Sequence, residues 1–421
     1  MGAHEFEPAT RIKRLPPYLF GELNALRHAK RQQGIDIIDL GMGNPTDPAP
    51  KVVVDKLCEA AHDPRNHRYS TSRGLLNLRR DFARKYESKW GVTLDPQREV
   101  IACLGSKEGL SHLCLGMLGP GDTVVVGDPA FPIHVYGPAL AGANVISVSL
   151  GNDVAFLERI AYVMGHLYPR PKLILLNYPN NPTGMTVDAA FFDEVVSVAE
   201  CYGAHVIHDF AYAESCFDGY QAPSFLAARG AKELGVEFAT LSKQYNMAGW
   251  RIGFCAGNAQ MIEALATVKG YYDYGIFQPI QIASIIAMRQ CAEDVRQQAL
   301  CYQARRDVVL EGCRRLGWAA RTPRAGIFVW ARVADSHLRD QGTIDFCLRM
   351  MDEAEVALAP GRGFGENGEG HVRIALVENE KRLRQAIRQL DRALNRQPRA
   401  KTTSSPTADP STTGSTAPDM D

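Results

Sequence analysis

The feature that most constrains this chain is a series of short, unbroken apolar runs separated by helical stretches. Thr123-Val124-Val125-Val126, Val145-Ile146-Ser147-Val148, Leu173-Ile174-Leu175-Leu176, Val206-Ile207-His208, Phe238-Ala239-Thr240 and Ile252-Gly253-Phe254-Cys255 follow one another in order. They do not alternate polar with apolar residues, so each is expected to be buried on both faces. A helical pattern over Val187–Cys201 separates two of them. Doubly buried strands joined by helices predict an α/β fold whose mostly parallel sheet is covered on both sides. At 421 residues the chain has room for one large domain and a smaller one.

The flanks give the expected division. Residues 1–34 read as an N-terminal arm, broken at Pro16-Pro17, and a helix over Leu19–Arg31 that packs with the smaller domain or a partner subunit. The large domain is expected over 35–290. It opens with a strand in Ile35–Leu40 and carries helices over Val52–Ala61, Gly74–Trp90 and Ser106–Met117. Long helices fill 259–310, where the chain turns into a smaller domain over 291–395. Strands are expected there at Phe328–Trp330, Val356–Leu358 and Val372–Leu376, before a closing helix at Asn379–Leu394. Residues 396–421 are rich in Ser, Thr, Pro and acid, a composition with little to bury, and predict a disordered tail.

Composition excludes several classes. Lys plus Arg equals Asp plus Glu, 47 each, so no basic field recommends a nucleic-acid partner. No span approaches the roughly 20 apolar residues needed to cross a bilayer, so no membrane partner is expected. The ten cysteines are scattered without a CxxC pair, which argues against zinc or iron–sulfur ligation. His205 and His208 lack a supporting ligand set, so no metal site is expected. The N-terminus, with Glu5 and Glu7, has no export pattern, and a reducing cytoplasm fits the free thiols. Gly361-Arg362-Gly363-Phe364-Gly365 fits neither a dinucleotide fingerprint nor a phosphate loop, and reads as a flexible loop near the substrate entrance.

The chemistry concentrates in Ser242-Lys243 and the Arg251 that follows, with Asn181-Pro182-Thr183-Gly184 and Asp209 to Tyr212 upstream. A lysine amine forms a Schiff base, an arginine grips phosphate, and a carboxylate keeps a ring nitrogen protonated. Together they can hold a phosphorylated aromatic aldehyde, pyridoxal 5′-phosphate, by both ends. Lys243 is the catalytic candidate, a base at a substrate α-carbon once nearby positive charge and burial lower its pKa. Asp209 ends an apolar run, at the strand edge where α/β sheets take ligands, although a helix N-cap would also use an aspartate. Tyr212 and Asn181 can reach the ring oxygen. Ser106 and Lys107 offer amides at a helix start, Thr240 and Ser242 hydroxyls, and Arg251 a forked charged donor, all suited to phosphate. Phe131 can stack on the ring. Arg373, inside the apolar run Val372–Leu376, needs an anion, either a substrate carboxylate or a structural acid. Gly43 can add an amide to that carboxylate, and Tyr18 and Tyr69 are candidates for the pocket wall.

The ordered motifs Gly-Ser-Lys-Glu-Gly at 105–109, Asn-Pro-Thr-Gly at 181–184, Asp209 to Tyr212, Ser242-Lys243 and Arg251 resemble those of the fold-type I pyridoxal-phosphate aminotransferases over roughly 8–395. The resemblance implies a seven-stranded, mostly parallel sheet between helices and a smaller α+β domain. It implies that Lys243 carries the cofactor, Asp209 faces the ring nitrogen, and Arg373 takes the α-carboxylate. It also implies a homodimer with a shared active site, in which Tyr69 of His67-Arg68-Tyr69-Ser70 reaches the neighbour's phosphate. Arg14–Tyr18, Asp39–Pro45 and His67–Gly74 are similar to the bacterial glutamate–pyruvate (alanine) aminotransferases. That group implies amino transfer among amino acids and 2-oxoacids by a ping-pong cycle, and it shades into aspartate and diaminopimelate aminotransferases. Members usually carry tyrosine where this chain has Phe131. A lyase using the same lysine and aspartate, and a non-catalytic regulator on this fold, are the competing readings; the regulator would carry a DNA-binding appendage, and none precedes residue 35.

Overall fold

The computed structural model describes residues 6–16, 19–151, 153–339 and 342–395. The expected tail at 396–421 lies outside them. The strands are β1 Ile38–Asp39, β2 Val100–Cys103, β3 Thr123–Asp128, β4 Asn144–Ser149, β5 Leu173–Asn177, β6 His205–Asp209, β7 Gly235–Thr240, β8 Gly253–Gly257, β9 Ala319–Ala320, β10 Phe328–Arg332, β11 Val356–Ala357, β12 Ala359–Pro360 and β13 His371–Ala375. Seven form one sheet in the order β2-β8-β7-β6-β5-β3-β4. All neighbours pair in parallel except β8, which is antiparallel to both β2 and β7.

Doubly buried strands follow from the unbroken apolar runs. In β5, Ile174 and Leu176 join a core with Phe82, Phe191 and Val195 on one face, while Leu173 and Leu175 join Leu110, Leu113, Ile262 and Leu265 on the other. The helices supplying those faces are Leu76–Trp90 and Ala189–Tyr202 on one side, and Ser106–Met117 and Ala259–Tyr272 on the other. The edge strand β4 is mostly exposed or half-buried. One strand escaped the pattern: Val100–Cys103 is an apolar run of four residues, and it pairs with β8.

The C-terminal body is an antiparallel sheet, β12-β13-β10-β9, with the helices Ala292–Arg315 and Glu380–Leu394 packed around Val309, Val329, Val372 and Leu383. The segment expected to open the large domain is stitched into this body. β1 pairs with β11, and Leu40 O accepts from Ala375 N at 2.8 Å. Its apolar residues Ile38 and Leu40 are buried in the same core as Val329 and Val372. The helix Leu19–Gln32 precedes it, with Leu23 packed against Ile37, Met351 and Ala357.

The glycine-rich run at 361–365 is not the flexible loop expected from composition. It forms 3-10 turns at Gly361–Phe364 and Glu366–Gly368, and Phe364 is buried. The turns close the C-terminal body onto the large sheet: Phe364 O accepts from Ala130 N at 2.7 Å, and Asp128 Oδ2 accepts from Asn367 Nδ2 at 2.7 Å. Gly365 sits at φ +132°, and a Cβ there would overlap the Asp128 carboxylate. Gly365→Ala should therefore cost roughly 1–3 kcal/mol. Urea denaturation checks this; a variant as stable as the parent would show that the turns do not need this closeness.

Candidate active site

Strand polarity assembles the site. β2, β3, β5, β6 and β7 all end on one edge, and β8, running the other way, begins there. Segments leaving or entering that edge therefore converge: Ser106 after β2, Phe131 after β3, Asn181 after β5, Asp209 at the end of β6, and Thr240 to Arg251 between β7 and β8.

Asp209 is fixed from behind. His134 Nε2, on the helix Pro132–Leu140, lies 2.9 Å from Asp209 Oδ2, and Ala211 N donates to Oδ1 at 3.3 Å. The last residue of β5, Asn177, donates from Nδ2 to Asp209 O at 2.8 Å and accepts from Asn181 N at 2.8 Å. One buried amide thus sets the spacing between the two strand ends. Asn181 Oδ1 accepts from Arg373 Nη1 at 2.8 Å, and Arg373 Nη2 donates to Gly41 O at 2.8 Å. The Arg373 guanidinium lies over the rings of Phe328 and Phe364, at 4.1 and 4.6 Å from their centroids. Tyr212 is buried, edge-on to Phe328 at 5.8 Å, and burial raises its phenol pKa.

Lys243 stands between these groups and donates from Nζ to Gly43 O at 2.8 Å. Its pKa falls from 10.5 to about 8: desolvation contributes most, then the guanidiniums of Arg373 and Arg251, while Asp209 opposes them. At the other end, Thr240 Oγ1 lies 2.8 Å from Ser242 Oγ, accepts from Ser242 N at 3.1 Å and donates to Ile252 O at 3.0 Å. Arg251, at φ 54°, donates to Ala248 O at 2.9 Å and to Leu104 O at 3.3 Å. Gly105 is at φ +85°, and any Cβ there would collide with the Arg251 guanidinium. The backbone at the start of the helix Ser106–Met117 can therefore come close to that charge, leaving its first amides to meet an anion.

All the candidate residues except Tyr18 and Tyr69 line one cavity of about 620 Å³. An anion cradle, an amine of lowered pKa and a buttressed carboxylate share it, and this donor set fits a phosphorylated pyridine aldehyde. Tyr18 lies outside the described residues. Tyr69 is 89% exposed, away from its own chain's cavity and 5.5 Å from the Tyr274 ring. Sequence reasoning missed His134, Asn177 and the Gly41 carbonyl. A polar Asn closing the apolar Leu-Ile-Leu-Leu run was the available signal for one of them. It also missed Arg27, Arg31 and Asp39, which line the same cavity. Glu108, His112 and Asp273 come together as potential metal ligands, but the buried Lys269 ammonium already lies 2.7 Å from Asp273 and 3.3 Å from Glu108 as their counter-cation.

The family model for Aminotransferase class I and II matches residues 35–390. The glutamate-pyruvate aminotransferase AlaC of Escherichia coli (strain K12) is 47% identical over 382 residues, 90% of this chain and 92% of that one. The LL-diaminopimelate aminotransferase of Moorella thermoacetica is 44% identical over 390 residues, 93% of this chain and 99% of that one. A substrate-bound BacF structure from Bacillus subtilis superposes with a TM-score of 0.85 at 32% identity, covering 92% of this chain and 98% of that one.

With a pKa of about 8, the Lys243 amine of cofactor-free protein is charged below that pH and neutral above it. Acylation of the Lys243 peptide, followed by mass spectrometry against pH, should rise through an inflection about pH 8. An inflection near 10.5, the ordinary lysine value, would contradict the electrostatics described here.

Proposed function

Because the chain belongs to the class I and II aminotransferases, a fold-type I family that uses pyridoxal 5′-phosphate, we propose that it moves an amino group from L-alanine or a similar amino acid to 2-oxoglutarate, or from glutamate to pyruvate. The observation that carries the chemistry is Lys243, buried in one cavity with Asp209, Arg251 and Arg373, its pKa lowered to about 8 by desolvation first and then by the two guanidiniums. The alanine assignment is supported by 47% identity to the glutamate-pyruvate enzyme over 90% of the chain. A second reading, an aminotransferase for diaminopimelate or another amino acid, is supported by 44% identity to the LL-diaminopimelate enzyme over 93% of the chain.

The bound cofactor supplies a carbonyl carbon that takes the substrate nitrogen and a protonated ring that accepts electron density from the α-carbon. The chain's residues do the rest. Ser106, Lys107, Thr240, Ser242 and Arg251 hold the phosphate, through amides at the helix start, hydroxyls and a guanidinium. Asp209, backed by His134, holds a proton at the ring nitrogen. Asn181 and Tyr212 would donate to the ring oxygen, and Phe131 would offer its ring to the pyridine without the hydroxyl a tyrosine would bring. Arg373 grips the substrate α-carboxylate, helped by the Gly43 amide, and so aims the α-hydrogen. Neutral Lys243 Nζ then takes that proton.

Two copies sharing their sites is the assembly we favour, with Tyr69 reaching the neighbour's phosphate. Support comes from the exposed aromatic group of Tyr69, Tyr271 and Tyr274, at 89%, 90% and 64% exposure. A cytoplasmic setting is supported by ten free thiols. Among the described residues no helix is long and apolar enough to cross a membrane.

A panel of amino donors against pyruvate and 2-oxoglutarate tests the assignment. Alanine with 2-oxoglutarate should turn over; failure of alanine alongside turnover of diaminopimelate or aspartate would move the assignment to the second reading. Lys243→Ala should lower turnover by roughly 10²–10⁴ from lost proton transfer alone. Borohydride reduction of the native enzyme should leave the cofactor on the Lys243 peptide, and recovery on another peptide would refute the site.

A further inference from the structure

Arg373 has one α-carboxylate to hold, and Lys243 and Arg251 are committed to the cofactor in the reading above. A dicarboxylic substrate brings a second negative charge that needs its own partner. The cavity supplies two further guanidiniums, Arg27 and Arg31, one turn apart on the helix Leu19–Gln32. We propose that Arg27 and Arg31 form the subsite for the distal carboxylate of a dicarboxylic amino acid or 2-oxoacid, an inference that rests on the aminotransferase reading.

The placement is built rather than incidental. Asp39 Oδ1 accepts from Gly41 N at 3.0 Å and Met42 N at 3.2 Å, and its Oδ2 pairs with Arg27. Gly41 in turn accepts from Arg373 at 2.8 Å. The turn that positions the α-carboxylate arginine therefore also holds the carboxylate that positions Arg27. The Arg27 and Asp39 side chains are 21% and 14% exposed, so their pairing is shielded from water. Arg31 is the more exposed of the two on the cavity lining and donates to Ile37 O at 3.1 Å. Among the described residues Arg31 makes no salt bridge; its charge acts on the Asp36 carboxylate, which Arg382 already pairs through both oxygens, so Arg31 can take an incoming anion. Glu378 also lines the cavity and opposes an anion, but Arg382 lies close enough to feel its charge.

A third cation on the lining, Lys107, belongs to the phosphate end. Its ammonium lies 5.6 Å from the Phe131 ring centroid, and the Arg251 charge acts on it. Arg27 and Arg31 instead sit on the side reached through Asp39 and Gly41 from Arg373. The arrangement also accommodates a side chain that ends in a methyl group. Arg27 then keeps Asp39 as its counter-ion, and no buried charge is stranded. A distal carboxylate adds Arg31 as a new partner and shares Arg27 with Asp39.

Holoenzyme titrated calorimetrically with glutarate and with valerate tests this. The two share a five-carbon chain, and glutarate carries a carboxylate where valerate has a methyl. The parent protein should prefer glutarate. Arg31→Gln should reduce the glutarate-to-valerate affinity ratio by roughly tenfold, the scale of one charge-assisted hydrogen bond. Arg27→Gln should do the same, and Arg27→Lys should restore part of the ratio. A parent without preference for glutarate would overturn the subsite, as would an unchanged ratio in Arg31→Gln or an equal loss of both ligands in every variant. These outcomes concern binding, so they stay separable from a failed donor panel, which would count against the aminotransferase reading itself.

Discussion

Strand direction is the constraint on which the rest of this structure depends. Six strands running the same way deliver their C-terminal ends to one edge, where nothing in the sheet covers the chain that leaves them. A ligand cavity there needs no special device. The less ordinary step is β8. Because it returns antiparallel beside β7, the segment from Thr240 to Arg251 must turn back at the same edge. That turn places Lys243 between Asp209 on one side and the Arg251 cradle on the other. A parallel β8 would have needed a crossover to the far edge and would have carried Arg251 away from Lys243.

The second problem the fold solves is electrostatic. Lys243, Arg251 and Arg373 are cations around one cavity, and Asp209 is the acid among the candidate residues that offsets them. Like charges collected in a partly dry space disfavour one another, and the group with the most accessible neutral form yields. A guanidinium keeps its proton, so the strain falls on the lysine, whose pKa drops to about 8. Its amine is made available as a base first by burial and then by the two arginines, whose other task is to hold anions. Arg373 tolerates burial because Asn181, the Gly41 carbonyl and two aromatic faces replace its water. Asn181 belongs to the large sheet, while Gly41 and Phe328 belong to the C-terminal body, so the same contacts tie the bodies together.

Much of this was legible before any coordinates. Six of the seven sheet strands announce themselves as apolar runs, because burial on both faces removes polar residues from consecutive positions. Lys243, Asp209, Asn181 and Arg251 were legible because each sits where such a run ends or begins. β2 was not, since Val100–Cys103 is short and follows the charged Arg98-Glu99. The pairing of β1 with β11 was hidden for a different reason: Ile38 and Val356 lie far apart in the chain, and periodicity says nothing about long-range partners. The 361–365 run misled because five residues with three glycines look free, whereas Gly365 lets backbone approach Asp128 and Gly361 lets it approach the Gly368 and His371 carbonyls.

What was least legible is the cavity wall formed by Arg27, Arg31 and Asp39. The groups that would hold the cofactor come from the sheet edge, where pattern and position coincide. Arg27, Arg31 and Asp39 come from an N-terminal helix and a two-residue strand that the sheet does not organise. On a helix, a charged residue facing a cavity and one facing solvent differ by about 100° of rotation, and composition does not separate them. Lys243, Asp209 and Arg251 are instead placed by the sheet edge and by its neighbours His134, Asn177 and Gly43, not by that helix. With the distal-carboxylate subsite proposed above, reaction class and substrate choice fall to different parts of the chain. Relatives at 44–47% identity bear the names of different amino-acid substrates, as expected where the groups that set the reaction and those that line the rest of the cavity come from different elements.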